Sequence, residues 1–134
     1  MSFYQLAVAV MIINQDDKVL LVKGYKRGWE FPGGFVNSEE SIKAAAIREA
    51  KEESGIDIEL TDFLGVEHHI KKTSIVVVFK GRPIGGTIET SNETKDVGYF
   101  DLNESLKIMA IDHFKDRLLR CVNENQIPFF IEIP

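Results

Sequence analysis

The chain has 134 residues, a net charge of −5, a 44% apolar content and a single cysteine, Cys121. This length and composition predict one domain, residues 1–134, with a buried core. The acidic balance argues against a nucleic-acid polymer as partner, and a lone cysteine excludes an intramolecular disulfide and a cysteine-rich zinc site.

The N-terminal residues Met1 to Tyr4 contain no basic segment ahead of an apolar stretch. No apolar run approaches the roughly 20 residues that a helix needs to span a bilayer. We therefore expect neither secretion nor membrane insertion. Because a single cysteine fits a reducing compartment, the sequence predicts a cytoplasmic protein.

The first part of the chain is rich in β-forming residues. Leu6 to Ile13 and Val19 to Lys23 have strand composition, and the polar cluster at 14–17 between them indicates a turn. Together these segments predict a hairpin. Further along, Gly33 and Gly34 permit backbone angles that other residues resist, which predicts a sharp turn there.

A helix is predicted after this turn. Asn37 and Glu40, three residues apart, have the form of a capping box, so we expect the helix to begin near Ser38. It should run to Ser54, where Gly55 supplies a left-handed end. Alanines at its centre would let the helix lie close to a sheet.

This helix carries three glutamates, Glu49, Glu52 and Glu53, at spacings of three and four. Such positions share one helical face, so the carboxylates should converge and repel one another unless a cation lies among them. Mg²⁺ and Mn²⁺ prefer carboxylate oxygens and commonly bridge to substrate phosphates. The sequence therefore predicts a divalent-metal site that faces a phosphate group.

The second half of the chain continues the mixed pattern. Strands are predicted at residues 56–60, 63–70, 74–80 and 97–100. Asp101 with Glu104 indicates a second capped helix. A last helix should pack its apolar face on the sheet; that face comprises Ile111, Phe114, Leu118, Cys121 and Val122. The fold class is therefore mixed α/β.

The middle of the chain resembles the Nudix hydrolases. Their signature is Gly, five residues, Glu, seven residues, then Arg-Glu-aliphatic-x-Glu-Glu-x-Gly-aliphatic. The matching residues are Gly34, Glu40, Arg48, Glu49, Glu52, Glu53, Gly55 and Ile56, with Ala50 where the family more often has a larger aliphatic residue. The preceding Trp29 to Gly33 also resembles the family's lead-in. The resemblance implies an αβα sandwich around a mixed β-sheet.

The resemblance also implies an activity and a metal site. We expect a Mg²⁺-dependent pyrophosphohydrolase, with Mn²⁺ as a second candidate ion, that cleaves a phosphoanhydride in a nucleoside diphosphate linked to another moiety. The implied metal ligands are the carbonyl of Gly33 and the carboxylates of Glu49, Glu52 and Glu53. A guanidinium can orient a carboxylate through two hydrogen bonds. Arg48 is therefore expected to support the metal ligands, and Glu40 to be part of the scaffold that it bonds.

The general base has two candidates, Glu49 on the helix and Glu93 in a distant loop, because relatives of this type use either place. Asp96 in the same loop is a further acid within reach of the metals. Acidic residues are also common in ordinary surface turns, so the competing interpretation is that this loop is simply exposed to solvent.

Several other side chains have both a functional and an ordinary interpretation. His68 and His69 are adjacent on a strand and point to opposite faces, so they cannot chelate as a simple pair. His113 is predicted to be surface and Cys121 core. Four aromatic residues could stack a base or could simply pack: Tyr25, Trp29, Phe31 and Tyr99. Three basic residues near the turn could guide phosphates or could simply be solvated: Lys23, Lys26 and Arg27.

A catalytically silent domain that binds a nucleotide as a sensor is the alternative function, and the intact glutamates argue against it. The substrate is left open between nucleoside triphosphates, nucleotide sugars and other compounds. Residues 70–74 lack the proline and tyrosine associated with ADP-ribose and diadenosine polyphosphate subgroups. The apolar tail at 128–131 either covers a homodimer interface or adds an edge strand to its own domain.

Overall fold

The computed structural model describes residues 1–134, which form eight strands and three helices. In chain order they are β1 (Gln5–Ile12), β2 (Val19–Gly24), β3 (Trp29–Glu30), β4 (Gly33–Phe35), α1 (Ile42–Ser54), β5 (Ile56–His69), β6 (Ser74–Gly86), β7 (Thr94–Phe100), α2 (Leu102–Ile108), α3 (Asp112–Val122) and β8 (Phe129–Ile133). None of the helices combines the length and apolarity that crossing a bilayer requires.

The strands form two sheets. The larger has the order β4-β1-β6-β5-β8 and is mixed, because β1 pairs with β6 and β5 pairs with β8 in parallel while the other pairs are antiparallel. The smaller sheet, β3-β2-β7, is antiparallel. The predicted αβα sandwich with a mixed sheet is confirmed.

Side chains along β1 alternate between the two faces of the large sheet and so contribute to two separate hydrophobic cores. Val8 and Val10 pack with Ala46 of α1 on one face of the large sheet, and Met11 packs with Leu118 of α3 on the other. Both faces of β1 are thus buried, which explains its nearly continuous apolar sequence. Each fully buried Val or Leu side chain contributes about 1.5–3 kcal/mol to folding.

The predicted hairpin of β1 and β2 is wrong. A turn forms at Asn14, whose N–H donates to the Lys18 carbonyl at 3.0 Å, but only Ile13 and Val19 pair across it. The strands then separate into different sheets. The reason is that β6 lies along the whole of one edge of β1 and β4 along part of the other, so β2 has no complete edge to join.

Helix α1 begins four residues later than the sequence predicts. Glu39 adopts a left-handed backbone with φ of 64°, which no right-handed helix accommodates, and the Asn37–Glu40 contact closes a turn instead. Ser41 is the N-cap, its hydroxyl accepting from the Ala44 N–H at 3.0 Å. The predicted end at Gly55, with φ of 79°, is confirmed.

Two predicted strands after α1 are one, since β5 runs through three bulges beside β6. The capped start of α2 is confirmed, as Asp101 and Glu104 form a capping box. The face of α3 is buried at Phe114, Leu118 and Cys121, but Val122 is exposed, contrary to the prediction. The apolar tail forms β8 at the edge of its own sheet.

Candidate active site

Close approach of β4 to its neighbours requires the two glycines at the start of that strand. Gly33 pairs with Ala9 and Gly34 with Val8 of β1. A Cβ atom on Gly33 would collide with the Val8 carbonyl, and one on Gly34 would lie 2.7 Å from the Glu49 carboxylate. The absence of side chains therefore lets α1 place a carboxylate directly against the β4 backbone.

Arg48 binds the acidic side chains around it. Its Nε and Nη2 atoms donate to the two carboxylate oxygens of Glu40 at 2.7 and 3.0 Å, the bidentate contact that the sequence predicts. Nη1 donates to Glu49 at 2.8 Å and to Glu52 at 3.1 Å, and Nη2 also donates to the Phe35 carbonyl at 3.0 Å. The hydrogen bond from Arg48 and one from the Asn37 backbone lower the pKa of Glu40 to about 2. One guanidinium thus fixes α1 to the segment before it.

Glu53 lies deeper in the site. The Gly33 N–H donates to its Oε1 atom at 2.7 Å. Burial raises the pKa of Glu53 to about 8 against that hydrogen bond, and the charges of Glu49, Glu30 and Glu93 raise it further. Burial also raises the pKa of Glu49, although Arg48 opposes the shift. This part of the protein therefore concentrates more negative charge than its own cations balance.

Three of these carboxylates come together. One oxygen each of Glu49, Glu53 and Glu93 lies within 4.8 Å of the other two. Glu52 lies outside this group; its side chain is 55% exposed, and its carboxylate accepts a hydrogen bond from Arg48. A set of closely spaced carboxylate oxygens fits Mg²⁺ or Mn²⁺, which favour hard oxygen donors.

Glu93 reaches the helix because the loop before β7 is internally bonded. The Ser91 hydroxyl accepts from the Glu93 and Thr94 N–H groups, each at 3.1 Å. Thr94 is buried, and its hydroxyl donates to the Glu53 carbonyl at 2.7 Å. Asp96 does not join the carboxylates; its Oδ1 accepts from the Val97 N–H at 2.9 Å.

A cleft of about 290 Å³ opens beside the carboxylates. Its lining residues are Val22, Gly24, Tyr25, Lys26, Arg27, Glu30, Glu53, Glu93 and Thr94. Sequence reasoning missed Glu30 and Thr94, although Glu30 belongs to the recognised lead-in before Gly33. A larger hollow of about 490 Å³ lies along α3 and shares none of these residues.

The aromatic candidates divide between packing and exposure. The Trp29 ring packs edge-on against Phe100, with centroids 5.0 Å apart, and Phe31 is buried in the core. Tyr99 packs against the core on the α1 side. Tyr25 is exposed and lines the cleft.

A second polar centre lies between β5 and α3. Glu67 is fully buried and accepts from Nε and Nη2 of Arg117, both at 2.7 Å. His69 Nε2 lies 3.0 Å from Glu67, and His113 Nε2 lies 3.2 Å from Arg117 Nη2. His113 is thus half-buried in a charged cluster, and its prediction as surface is wrong.

The remaining side chains of this region are structural. His68 lies 3.0 Å from the Tyr4 hydroxyl, on the opposite strand face from buried His69. Cys121 is buried, as predicted, and burial raises the pKa of its thiol to about 12, so it stays protonated. Neither group contributes to the cleft.

Comparisons with known proteins give consistent results. A family model described as the NUDIX domain matches residues 3–120. The ADP-ribose pyrophosphatase of Methanocaldococcus jannaschii is 37% identical over 118 residues, covering 81% of this chain and 69% of that protein. The 8-oxo-dGDP phosphatase NUDT18 of Homo sapiens is 36% identical over 90 residues, covering 64% of this chain and 28% of that protein. A NUDIX hydrolase structure from Nitrosomonas europaea shares the fold, with a TM-score of 0.84 at 22% identity over 100% of this chain and 80% of that one.

Proposed function

The chain belongs to the Nudix hydrolases, enzymes that act on phosphoanhydrides, and we propose that it is a Mg²⁺-dependent pyrophosphohydrolase. Its substrates are small molecules in which a nucleoside diphosphate is linked to another group, and residues 1–134 form one catalytic domain. Mn²⁺ is expected to substitute for Mg²⁺ because both ions accept carboxylate ligands.

The observation that carries this proposal is the group formed by Glu49, Glu53 and Glu93. Glu53 and Glu93 of this group line the cleft, while the guanidinium of Arg48 is already bonded to Glu40, Glu49 and Glu52. A divalent cation bound by Glu49 and Glu53 would neutralise part of this charge, and when bound it would stabilise the charge that develops on phosphoryl oxygens.

The residues around the carboxylates hold them in place. The Gly33 N–H fixes Glu53 at 2.7 Å, and Arg48 fixes Glu49 at 2.8 Å. We assign Glu49, Glu53 and the Gly33 carbonyl as ligands, with Glu52 as an additional ligand at the exposed side. This pre-orientation lowers the cost of positioning a phosphoanhydride for in-line attack by water.

Of the two candidates for general base, we propose Glu93. Its side chain is exposed to water and makes no ion pair, whereas the Glu49 carboxylate is fixed by Arg48. A base must reach the attacking water and be free to accept its proton. The bonded loop that contains Ser91 and Thr94 keeps Glu93 beside the ligands without immobilising its carboxylate.

The test is hydrolysis of a nucleotide panel with Mg²⁺, in water enriched in ¹⁸O, with the products resolved by mass. Label position identifies the phosphorus that is attacked, and product masses identify the anhydride that is cut. We expect turnover that chelation abolishes and that Glu53→Gln removes. Glu59→Gln is the matched control, since Glu59 is an exposed glutamate on β5 outside the cleft.

Two outcomes would contradict the proposal. Turnover that persists after chelation or in Glu53→Gln would separate the activity from the carboxylate group. Tight nucleotide binding without turnover would instead favour a silent sensor. The panel should contain both ADP-ribose, which the sequence disfavours, and nucleoside di- and triphosphates, because the two relatives described above are named for different substrates.

A further inference from the structure

A second feature of the cleft is an ion pair at its rim. Arg27 Nη2 lies 3.0 Å from Glu30 Oε1, and both residues line the cleft together with Glu53 and Glu93. The Arg27 side chain is 65% exposed, while that of Glu30 is 15% exposed. The Arg27 guanidinium is therefore exposed to solvent, while the Glu30 carboxylate that it pairs with is largely buried.

The geometry leaves most of this guanidinium unused. Arg27 makes one hydrogen bond, to Glu30, and its Cζ atom lies 5.6 Å from the centre of the Phe114 ring. An arginine has five N–H donors in a planar fork, so several stay free to bind an anion. The Arg27 end of this ion pair is exposed to solvent at the rim of the cleft, whereas the Glu30 end is largely buried.

That position is suited to phosphate. Lys26 and Arg27 are the basic residues that line the cleft, together with Glu53, which is proposed to hold metal. A guanidinium restrained by Glu30 and Phe114 loses less conformational freedom when it binds than a free side chain would. The planar fork also matches two phosphate oxygens at once, which favours a terminal phosphate with several free oxygens.

We propose that Arg27 determines specificity by binding the free terminal phosphate of the substrate. This inference rests on the proposed hydrolase function; within the proposed class it favours nucleoside triphosphates, and it extends the class to nucleoside diphosphates, which also have a free terminal phosphate. A phosphate esterified once carries about −1.5 to −2 charges near pH 7. In ADP-ribose each phosphate is substituted on two oxygens, so it carries a single charge and has fewer free oxygens. Arg27 should therefore discriminate between a terminal phosphate and the phosphates of ADP-ribose.

The test uses two ligands that differ only at that end. They are α,β-methylene-ADP and the α,β-methylene analogue of ADP-ribose, in which the P–C–P linkage resists hydrolysis. Dissociation constants with Mg²⁺ are measured by calorimetry for the wild type, Arg27→Gln and Arg27→Lys. The matched control is Arg82→Gln, because Arg82 is 61% exposed, pairs with Glu59 at 3.1 Å and lies outside the cleft.

We expect the wild type to bind the ADP analogue more tightly. Arg27→Gln should weaken that binding about tenfold or more, and that of the ADP-ribose analogue less than about threefold. Arg27→Lys should recover part of the loss, because it keeps the charge but not the fork. Arg82→Gln should change neither constant.

Equal losses for both ligands, or no loss for either, would overturn the role of Arg27. Equal losses would mark a general attraction for anions. Mg²⁺-dependent binding without turnover of the natural nucleotides would refute the hydrolase proposal. The dissociation constants of the two analogues would still decide whether Arg27 binds the terminal phosphate. A wild type that binds neither analogue would overturn the role of Arg27, whereas turnover of the nucleotide panel decides the hydrolase proposal.

Discussion

Glu53 on α1 and Glu67 on β5 are both withdrawn from water, yet their neighbours differ in charge. The charged groups that shift the pKa of Glu53 are the glutamates Glu49, Glu30 and Glu93, and its hydrogen bond is from the Gly33 N–H. Glu67 receives two hydrogen bonds from Arg117 and lies near Arg120, His69 and His113.

The pKa of each carboxyl follows from this difference. Burial raises the pKa of Glu53 to about 8, and no lysine or arginine forms an ion pair that would oppose the shift. Burial acts in the same direction on Glu67, but the hydrogen bonds and charge of Arg117 outweigh it and hold the pKa below its ordinary value.

The comparison distinguishes a structural acid from a functional one. Glu67 has its countercharge within the chain, and the Arg117 Nη2 atom lies among the three side chains that could otherwise hold a metal ion. Glu53 has no ion pair within the chain. A buried carboxylate without an internal cation is therefore the better indicator of a ligand site.

The largest expected effect is on turnover in Glu53→Gln. We expect the rate to fall about 10²- to 10⁴-fold, as for loss of a group that acts at the reaction centre. Folding should be retained, because the amide preserves shape and removes a like charge. Steady-state rates and circular dichroism provide the check, and a variant that keeps more than a tenth of the wild-type rate would contradict the assignment.

Glu67→Gln should have the opposite profile. It leaves the Arg117 guanidinium buried without its counterion, so the free energy of unfolding should fall by about 3–5 kcal/mol. Urea denaturation measures this loss. A Glu67→Leu, Arg117→Met double variant should recover part of it, since an apolar pair leaves neither charge unpaired. If Glu67→Gln were as stable as the wild type, the ion pair would not have the structural role assigned to it.

The pH dependence of stability should show the raised pKa of Glu53. The pKa of Glu53 rises from 4.5 to about 8 on folding without metal, so its stabilising contribution is complete below pH 4.5 and is lost as the pH rises through 8. Metal-free wild type should therefore lose stability relative to Glu53→Gln across this window. Thermal melts of both proteins provide the test, and contributions of His113 cancel in the difference.

Added Mg²⁺ should reverse that trend. Metal binding requires the ionised carboxylate, so the rise in melting temperature on adding Mg²⁺ should be greater at pH 8 than at pH 6. Glu53→Gln should show a smaller rise at both values. An equal rise in the two proteins would mean that Mg²⁺ binds elsewhere.

Arg48→Lys should have a smaller effect on catalysis. The lysine keeps a charge but cannot bond Glu40, Glu49 and Glu52 at once, so Mg²⁺ affinity or activity should fall about 10- to 100-fold. Calorimetric titration with Mg²⁺ measures the affinity. Arg82→Lys is the control and should match the wild type; an unchanged Arg48→Lys would mean that the fork is dispensable.

Thr94→Val should have the smallest effect. It keeps the side-chain volume but removes the hydrogen bond to the Glu53 carbonyl, which should cost about 0.5–1.5 kcal/mol of stability. The loop with Glu93 should become more mobile and the rate should fall severalfold. Amide hydrogen exchange at residues 91–94 would detect this, and unchanged exchange would show that Thr94 does not restrain the loop.

Much of the fold and part of the site could be predicted from the sequence. Strand composition, the left-handed Gly55 and the capping box at Asp101 are local signals, and each is found in the structure. The Arg48–Glu40 contact was also predictable from the resemblance. The start of α1 was not, because Glu39 adopts a left-handed backbone that no composition rule anticipates.

The sequence by itself determined the helix that carries Glu49 and Glu53 and the glycines beside it, since helical spacing and backbone freedom are properties of neighbouring residues. Only the tertiary structure decided that Glu93 joins them, that Glu52 faces solvent, and that Glu67 meets Arg117 fifty positions away. Those contacts depend on sheet order and on which strand edges are free, and neither is encoded in local spacing.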